Sequence, residues 1–346
     1  MTKRLRFVLL GHPVAHSISP AICSAAFHAL GLPHLYSTLD VPGTPELRLV
    51  LDDIRNGRFA GANVTLPYKT AAFDMADTVA ESAAAVGAAN VIAVDRSRRL
   101  VAHNTDADAL FAELTSLLAG RPKSRVAIIG GGGAALAALV ACKRLGFQIV
   151  CMTSRSWINS EVMFNSETAN RARSLGALTS LWPRRDEPTT SSKGSQVLRL
   201  QWIELAAQAD CVIQATSAGM VGADPGEEIC DTIAWDRLPA HALAYDVVYT
   251  PRVTPFLRRA QGYGLRAAGG LGMLARQAQI AVRIWLGQEP PLDVMRVAAD
   301  AALGPISSPG IRPPQDTIPD AFTDPEIHPG ARTDPEIYPG ALKETE

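Results

Sequence analysis

The chain has 346 residues, 47% of them hydrophobic, and a formal net charge of −1 at pH 7. At about 100–200 residues per domain, this length predicts two domains with ordinary buried cores. The near-neutral charge excludes a global positive field that would attract nucleic acid or an acidic membrane, and leaves room only for a local basic site. The five cysteines are scattered without a CxxC pair. This pattern predicts neither a disulfide framework nor a zinc site and favours a reducing, cytoplasmic setting.

The first hundred residues alternate short apolar runs with helical patterns. They predict strands at 5–10, 34–41, 61–66 and 90–95, and helices at 20–30, at 45–56 and after Pro67. Ser19 precedes Pro20 and is a candidate N-cap of the first helix. The helix at 45–56 is amphipathic, since Leu47, Val50, Leu51 and Ile54 recur on one face.

A second α/β unit follows a helix predicted at 106–118. The run 125–129 is an apolar strand, 130–133 is a block of four glycines, 134–145 is a helix, and 148–152 is the next strand. This order is the βαβ unit of a doubly wound sheet. Further on, the pattern predicts strands at 211–215 and 243–247 and a helix at 271–286, with loops at 157–165 and 183–196.

The chain changes character from Gly304 onward. It becomes proline-rich and carries the near-duplicate segments TDPEIHPGAR and TDPEIYPGAL. Because few apolar residues stand between the prolines, the segment 304–346 is predicted to be a disordered tail.

The glycine block has the context of a dinucleotide-binding turn. Glycine lets the backbone approach a pyrophosphate closely, and the following helix offers free N–H groups and the positive end of its dipole. The alternative is a flexible linker, which seldom lies between a buried strand and an amphipathic helix. The predicted phosphate site is Gly130, Gly131, Gly132, Gly133 and Ala134.

The end of the next strand indicates which dinucleotide is bound. An NAD enzyme usually places a carboxylate about 20 residues beyond the first glycine, where it binds the ribose 2′-OH. Here no Asp or Glu occurs between Ala134 and Ser160, and the strand runs into Ser154 and Arg155. A guanidinium and hydroxyls suit a 2′-phosphate, so the sequence predicts NADP. The alternative is that Arg155 is an ordinary surface arginine.

Several short motifs in a fixed order resemble those of the shikimate dehydrogenase family. The N-terminal half carries GHPVAHSISP (11–20), GANVTLPYK (61–69), GAAN (87–90) and NTD (104–106). The C-terminal half carries ATS (215–217), Tyr249 with Thr254 and Pro255, and GLGML (270–274) followed by Gln277. The order covers about residues 5–303, and the set is specific although each motif alone is weak. Gln214 departs from the family, which has asparagine before this ATS.

The resemblance implies a role for each matching residue. Lys69 and Asp106 are the implied catalytic pair. The implied substrate ligands are Ser17, Ser19, Asn63, Thr65, Lys69, Asn90, Asp106, Tyr249 and Gln277. The implied NADP site adds Ser154, Arg155, Thr216, Val247 and Gly270 to the glycine block. Without the motifs, Lys69 would be interpreted as a surface lysine and Asp106 as a helix N-cap.

The resemblance also implies an architecture and a reaction. It predicts an N-terminal α/β substrate domain at 1–105, completed by helices at 270–303, and a Rossmann-type NADP domain at 106–269, with a cleft between them. The implied enzyme is a cytoplasmic, metal-free NADP-dependent shikimate dehydrogenase of chorismate biosynthesis, a monomer or homodimer without nucleic-acid or membrane partners. A quinate or aminoshikimate dehydrogenase, or a non-catalytic shikimate-binding homologue, are the alternatives.

Overall fold

Two six-stranded sheets organise the chain in a computed structural model, which describes residues 3–183 and 193–304. The predicted tail at 304–346 therefore lies outside the described residues except for Gly304, as does most of the predicted loop at 183–196.

The first sheet is mixed. Its strands are β1 (Arg6–Gly11), β2 (Leu35–Asp40), β3 (Gly61–Val64), β4 (Thr78–Val79), β5 (Val91–Val94) and β6 (Leu100–His103). The strand order is β2-β1-β3-β5-β6-β4, with β1 parallel to β2 and β3, β4 parallel to β6, and β5 antiparallel to β3 and β6. The helices of this part are α1 (Ser19–Ala29), α2 (Thr44–Arg55), α3 (Lys69–Asp74) and α4 (Glu81–Val86).

The second sheet is wholly parallel. Its strands are β7 (Arg125–Ile129), β8 (Ile149–Thr153), β9 (Leu178–Ser180), β10 (Cys211–Gln214), β11 (Leu243–Asp246) and β12 (Arg266–Gly269), in the order β12-β11-β10-β7-β8-β9. The helices that precede or connect them are α5 (Asp106–Leu117), α6 (Gly133–Arg144), α7 (Ser160–Asn165), α8 (Glu167–Ser174), α9 (Lys193–Ala206), α10 (Glu227–Cys230) and α11 (Pro255–Gly262), with a 3₁₀ turn at Trp235–Arg237. The last helices are α12 (Leu271–Leu286) and α13 (Leu292–Leu303).

Both sheets bury apolar clusters on their two faces, as a sheet covered by helices must. One face of the first sheet packs on α2, whose Leu47, Val50, Leu51 and Ile54 are all buried. On the other face, β1 and α1 pack against residues of α12 and α13, including Ala278 and Met295. The chain thus returns to its first sheet at its C-terminal end. No helix among the described residues is long and apolar enough to cross a membrane.

The predicted fold class and most of the predicted elements are confirmed, with boundaries shifted by one or two residues. Two helix caps were predicted wrongly. The first helix begins at Ser19 itself, with Ile18 as its N-cap, and the hydroxyl of Ser17 accepts from the Ser19 N–H at 3.2 Å. Helix α5 likewise begins at Asp106, and the cap position is Thr105.

Two predicted loops contain helices. Residues 160–165 fold as α7 because the Asn159 side chain caps it, accepting from the Val162 N–H at 2.8 Å. From Lys193 onward the second segment belongs to α9. Four short strands, β4, β6, β9 and β12, were not predicted at all.

Candidate active site

Lys69 and Asp106 form an ion pair between two parts of the fold. Lys69 opens α3, shortly after β3 of the first sheet, and Asp106 opens α5, which leads into the second sheet. The Lys69 Nζ donates to Asp106 Oδ2 at 2.5 Å, and their side chains are only 17% and 7% exposed. At such burial, water competes little with the pair, so each group stays fixed against the other.

Asn90 joins this pair to the neighbouring polar groups. Its Nδ2 donates to Asp106 Oδ1 at 2.8 Å and to Thr105 Oγ1 at 3.0 Å, and it lies 3.4 Å from Gln277 Oε1 on α12. Its Oδ1 accepts from the Thr105 N–H at 2.8 Å. One buried amide therefore orients both the carboxylate and the polar group that the C-terminal helix brings to the site.

The start of α5 is held by a residue to which no role was assigned from sequence. Asn104 Oδ1 accepts from the backbone N–H groups of Asp106 and Ala107, at 3.0 and 3.3 Å. Its Nδ2 donates to the Ala88 carbonyl at 3.0 Å. Asn104 thus satisfies two free N–H groups of the helix and ties them to the segment before β5.

A second amide, that of Asn63, extends this set of hydrogen-bonded polar side chains towards β2. Asn63, in β3, donates from Nδ2 to the Asn90 carbonyl at 3.2 Å and accepts from the Tyr36 hydroxyl at 2.7 Å. Burial raises the pKa of Tyr36 well above its usual value, so this phenol remains a neutral donor. The sequence did not identify Tyr36 as a site residue. Nothing in the local pattern distinguishes a strand tyrosine that lines a site from one that belongs to the hydrophobic core.

The serine motif faces a tyrosine from the other end of the chain. Ser17 Oγ donates to Ser19 Oγ at 3.1 Å, and Ser19 is buried. Burial raises the pKa of Tyr249, while a hydrogen bond with Ser17 lowers it. Thr65 adjoins the same loop, because a Cβ on Gly11 would collide with its methyl group. The hydroxyl groups of Ser17, Ser19 and Tyr249 therefore meet here, which suits a polyhydroxylated ligand.

The glycine block connects β7 to α6. Gly130 has φ +142°, a conformation that side chains disfavour, and a Cβ there would lie 2.8 Å from the Ala215 carbonyl oxygen. Among the described residues, no side chain caps the first turn of α6, so its N–H groups stay free for an anion. A Cβ on Gly133 would lie 3.7 Å from Lys69 Cδ, which places the start of α6 beside the ion pair.

The loops beside the glycine block hold three further predicted cofactor residues. Ser154 follows β8 and shares a hydrogen bond with Ser156 at 3.0 Å, and Arg155 pairs with Asp224. Thr216 follows β10, and its N–H donates to Gln214 Oε1 at 2.5 Å. The Gln214 Nε2 donates to the Ala218 carbonyl at 2.9 Å. Glutamine at this position therefore holds the loop from both of its amide atoms.

Val247 directly follows β11 and Gly270 directly follows β12, and the two residues are in close contact. A Cβ on Gly270 would collide with the Val247 carbonyl oxygen, so only glycine fits. Beneath them, Asp246 at the end of β11 is buried. Sequence reasoning assigned no role to Asp246.

The described residues contain no cluster of three or more His, Cys, Asp or Glu that could hold a metal ion. His12, in the first motif, pairs with Asp40 at 2.8 Å, where both side chains are about half exposed, 50% and 52%. Lys69 and Asp106, by contrast, are largely buried.

Known proteins resemble the chain over most of its length. Two family models match it: the shikimate dehydrogenase substrate binding domain at residues 9–92 and the shikimate 5′-dehydrogenase C-terminal domain at residues 270–299. The chain is 37% identical over 298 residues to the shikimate dehydrogenase (NADP(+)) of Symbiobacterium thermophilum, which covers 85% of this chain and 93% of that protein.

Solved structures that resemble the chain include a shikimate dehydrogenase and a quinate dehydrogenase. The shikimate 5-dehydrogenase of Thermus thermophilus, in complex with NADP(H) and shikimate, is 32% identical, with a TM-score of 0.68 over 86% of this chain and 100% of that chain. The quinate dehydrogenase of Corynebacterium glutamicum, in complex with NAD, is 26% identical, with a TM-score of 0.69 over 86% of this chain and 99% of that chain.

Proposed function

The chain belongs to the shikimate dehydrogenase family, and from that membership we propose that it catalyses the reversible, NADPH-dependent reduction of 3-dehydroshikimate to shikimate. The observation that carries the proposal is the buried Lys69–Asp106 pair. It lies beside both the polar side chains that contact Asn90 and the start of α6. These are the positions at which substrate and cofactor have to meet.

The glycine block and its surroundings fit a phosphorylated dinucleotide. Glycines 130–133 leave the backbone open to a pyrophosphate, and the uncapped first turn of α6 offers N–H donors. Arg155 and Ser154 would hold the 2′-phosphate, and Thr216, Val247 and Gly270 would line the rest of the site. The bound cofactor supplies the hydride.

The protein's own residues supply the proton and the orientation. Reduction of a ketone places negative charge on the carbonyl oxygen, which must receive a proton or be stabilised. The Lys69 ammonium has three donors, of which Asp106 accepts one, so the others are free to reach that oxygen. Asp106 holds the ammonium in place and can accept from a ring hydroxyl of the substrate.

The polar side chains of the proposed site would select the substrate. Ser17, Ser19, Asn63, Thr65, Asn90, Tyr249 and Gln277 would bind its carboxylate and hydroxyls. A site of this kind rejects an analogue that lacks a hydroxyl, because the protein group left behind is buried without its partner.

We also propose the division of the chain that follows from these roles. Residues 1–105 with 270–303 would form the substrate domain, and residues 106–269 the NADP domain. The packing of α12 and α13 on α1 supports this division. The enzyme would act in the cytoplasm in chorismate biosynthesis, as a monomer or homodimer without nucleic-acid or membrane partners.

The test is a steady-state assay of the purified protein with NADPH and 3-dehydroshikimate, and in reverse with NADP and shikimate. Lys69→Ala should lower kcat by about 10²-fold or more, with a smaller effect on cofactor binding. Lys123→Ala is the matched control, because Lys123 precedes β7 and so lies at the opposite end of that strand from the glycine block.

Two outcomes would contradict the proposal. Near-normal kcat in Lys69→Ala would remove the catalytic assignment. Faster turnover of quinate than of shikimate, or shikimate binding without any turnover, would replace the proposed activity with one of the alternatives within the family.

A further inference from the structure

Arg155 is engaged by a carboxylate of the chain itself. Its Nη1 lies 2.7 Å from Asp224 Oδ2, and the two side chains are 35% and 39% exposed. Arg155 lies two residues beyond β8, and Asp224 lies in the loop at 215–226 between β10 and α10. The partners are 69 residues apart in sequence, so only the fold brings them together.

The ion pair joins the two loops that flank the glycine block. In the second sheet β7 has β8 on one side and β10 on the other, so the loops that leave these strands lie on either side of the loop after β7. Direct proximity supports this placement. A Cβ on Gly131 would lie 2.7 Å from Ser154 Oγ, and a Cβ on Gly130 would lie 2.8 Å from the Ala215 carbonyl oxygen. The Arg155–Asp224 pair therefore stands at the mouth of the dinucleotide site.

The loop holds Asp224 in position for this contact. Its Oδ1 accepts from the Gly226 N–H at 2.8 Å, and its carbonyl oxygen accepts from the Gly219 N–H at 2.7 Å. Gly226 has φ +92°, and a Cβ there would lie 3.0 Å from the Gly219 nitrogen, so the turn is tightly closed. One carboxylate oxygen is thus anchored by the backbone, and the other is presented to the guanidinium.

We propose that Asp224 is a specificity-determining residue, which competes with the cofactor's 2′-phosphate for Arg155 and so limits the preference for NADPH over NADH. The inference rests on the proposed function, in which Arg155 binds that phosphate. Asp224 occupies one of the guanidinium's N–H donors and offsets its charge, so Arg155 attracts the 2′-phosphate less strongly than an unpaired arginine would. NADH has a 2′-hydroxyl at this position, which can donate a hydrogen bond to a carboxylate.

The experiment measures equilibrium binding, so that it does not depend on turnover. The dissociation constants of NADPH and NADH are determined by fluorescence titration for the wild type, Asp224→Asn, Arg155→Ala and the double variant. Asparagine keeps an Oδ1 for the Gly226 N–H and removes only the charge. Glu227→Gln is the matched control, because it removes an exposed negative charge from the adjacent α10.

Asp224→Asn should tighten NADPH binding by about fivefold and change NADH binding by less than about twofold. The gain should shrink as salt is added, because charge interactions at this exposure are partly screened. It should disappear in the Arg155→Ala background, and Glu227→Gln should change neither constant.

Each opposite result overturns the inference. Unchanged or weaker NADPH binding in Asp224→Asn would mean that Asp224 does not compete, or that it orients Arg155 for the phosphate. A gain that persists without Arg155 would mean a general charge effect. Failure of the proposed function is seen separately: if Arg155→Ala alone leaves NADPH binding unchanged, the 2′-phosphate assignment is wrong and the inference falls with it.

Discussion

Asp246 is a buried carboxyl group at the carboxyl end of β11, next to the predicted cofactor residue Val247. Its oxygens accept from the Thr254 hydroxyl at 2.6 Å, the Val248 N–H at 2.9 Å and the Gln214 amide at 3.3 Å. Burial raises its pKa from 3.8 to about 7, although the hydrogen bonds from Thr254 and Val248 lower it. The effect of desolvation on the pKa therefore outweighs that of the hydrogen bonds. Between about pH 4 and pH 7, the folded protein holds a proton on Asp246 that the unfolded chain has lost.

The size and the sign of the effect follow from that difference. A carboxyl group whose pKa is higher in the folded state favours folding at low pH, and that contribution is lost as pH rises. The loss runs from about pH 4, where the unfolded chain releases its proton, to about pH 7, where the folded protein does. At about 1.4 kcal/mol per pH unit, the free energy of unfolding should fall by up to about 4 kcal/mol across this window.

Asp246→Asn isolates this contribution, because the amide has the shape of the neutral acid and does not ionise. The assay is urea unfolding of wild type and variant at pH 5 and at pH 8, with the exposed Asp236→Asn as control. The stability of the wild type relative to Asp246→Asn should fall between the two pH values by most of that 4 kcal/mol, about 3 kcal/mol. Parallel pH profiles would show that Asp246 is ionised in the folded state at pH 5, and an equal change measured against Asp236→Asn would show that the loss of stability does not come from Asp246.

Three further predictions concern other parts of the molecule. Glu113→Gln should lower the free energy of unfolding by about 2 kcal/mol, because it removes the charge that pairs with Arg276 and Arg296; an unchanged urea midpoint would contradict this. Tyr249→Phe should raise the KM for shikimate about tenfold and leave that for NADP unchanged, and equal rises in both would assign the hydroxyl a structural role. Deletion from residue 305 onward should leave Tm and kcat intact, because its prolines and sparse apolar residues cannot offset the cost of ordering it; a fall in Tm of several degrees would show that the tail docks.

Local patterns predicted the elements whose signal is local. The amphipathic spacing in α2 and the strand–glycine–helix order of β7 and α6 both appear in the structure at nearly the predicted bounds. The short strands β4, β6, β9 and β12 did not stand out. Thr78–Val79 is a strand only because β6 lies beside it, and no window of two residues contains that information.

The signals for α7 were present but outweighed. Asn159 with Glu161 two residues later is a helix start, yet the short apolar run after it was interpreted as loop. Ser19 and Asp106 show the opposite error, since both are good caps by residue type. In each case the residue before it takes the cap position, and a neighbouring polar side chain satisfies the N–H groups instead, Ser17 in one helix and Asn104 in the other.

The motifs predicted which residues belong to the candidate site, but not what each of them contacts. The partner of Lys69 was inferred from family resemblance, and the structure places it at 2.5 Å. Asp224 stayed hidden because it lies in a polar loop far along the chain, where an aspartate is ordinary. Glu113 stayed hidden because 163 residues separate it from its partner Arg276. Long-range charge pairs leave no periodic trace in the sequence.

Glu113 links the Lys69–Asp106 pair to the C-terminal helices. It lies seven residues after Asp106 in α5, about two helical turns on, and so on the same face. Its carboxylate accepts from Arg276 Nε at 2.8 Å, and the next residue of α12, Gln277, approaches Asn90 at 3.4 Å. Because one helix, α5, carries both Asp106 and the carboxylate that pairs with Arg276 of α12, Glu113 helps to fix the position of Gln277 relative to Asp106. Loss of that anchor should therefore raise the KM for shikimate as well as lower stability, although Glu113 is not among the groups proposed to touch the substrate.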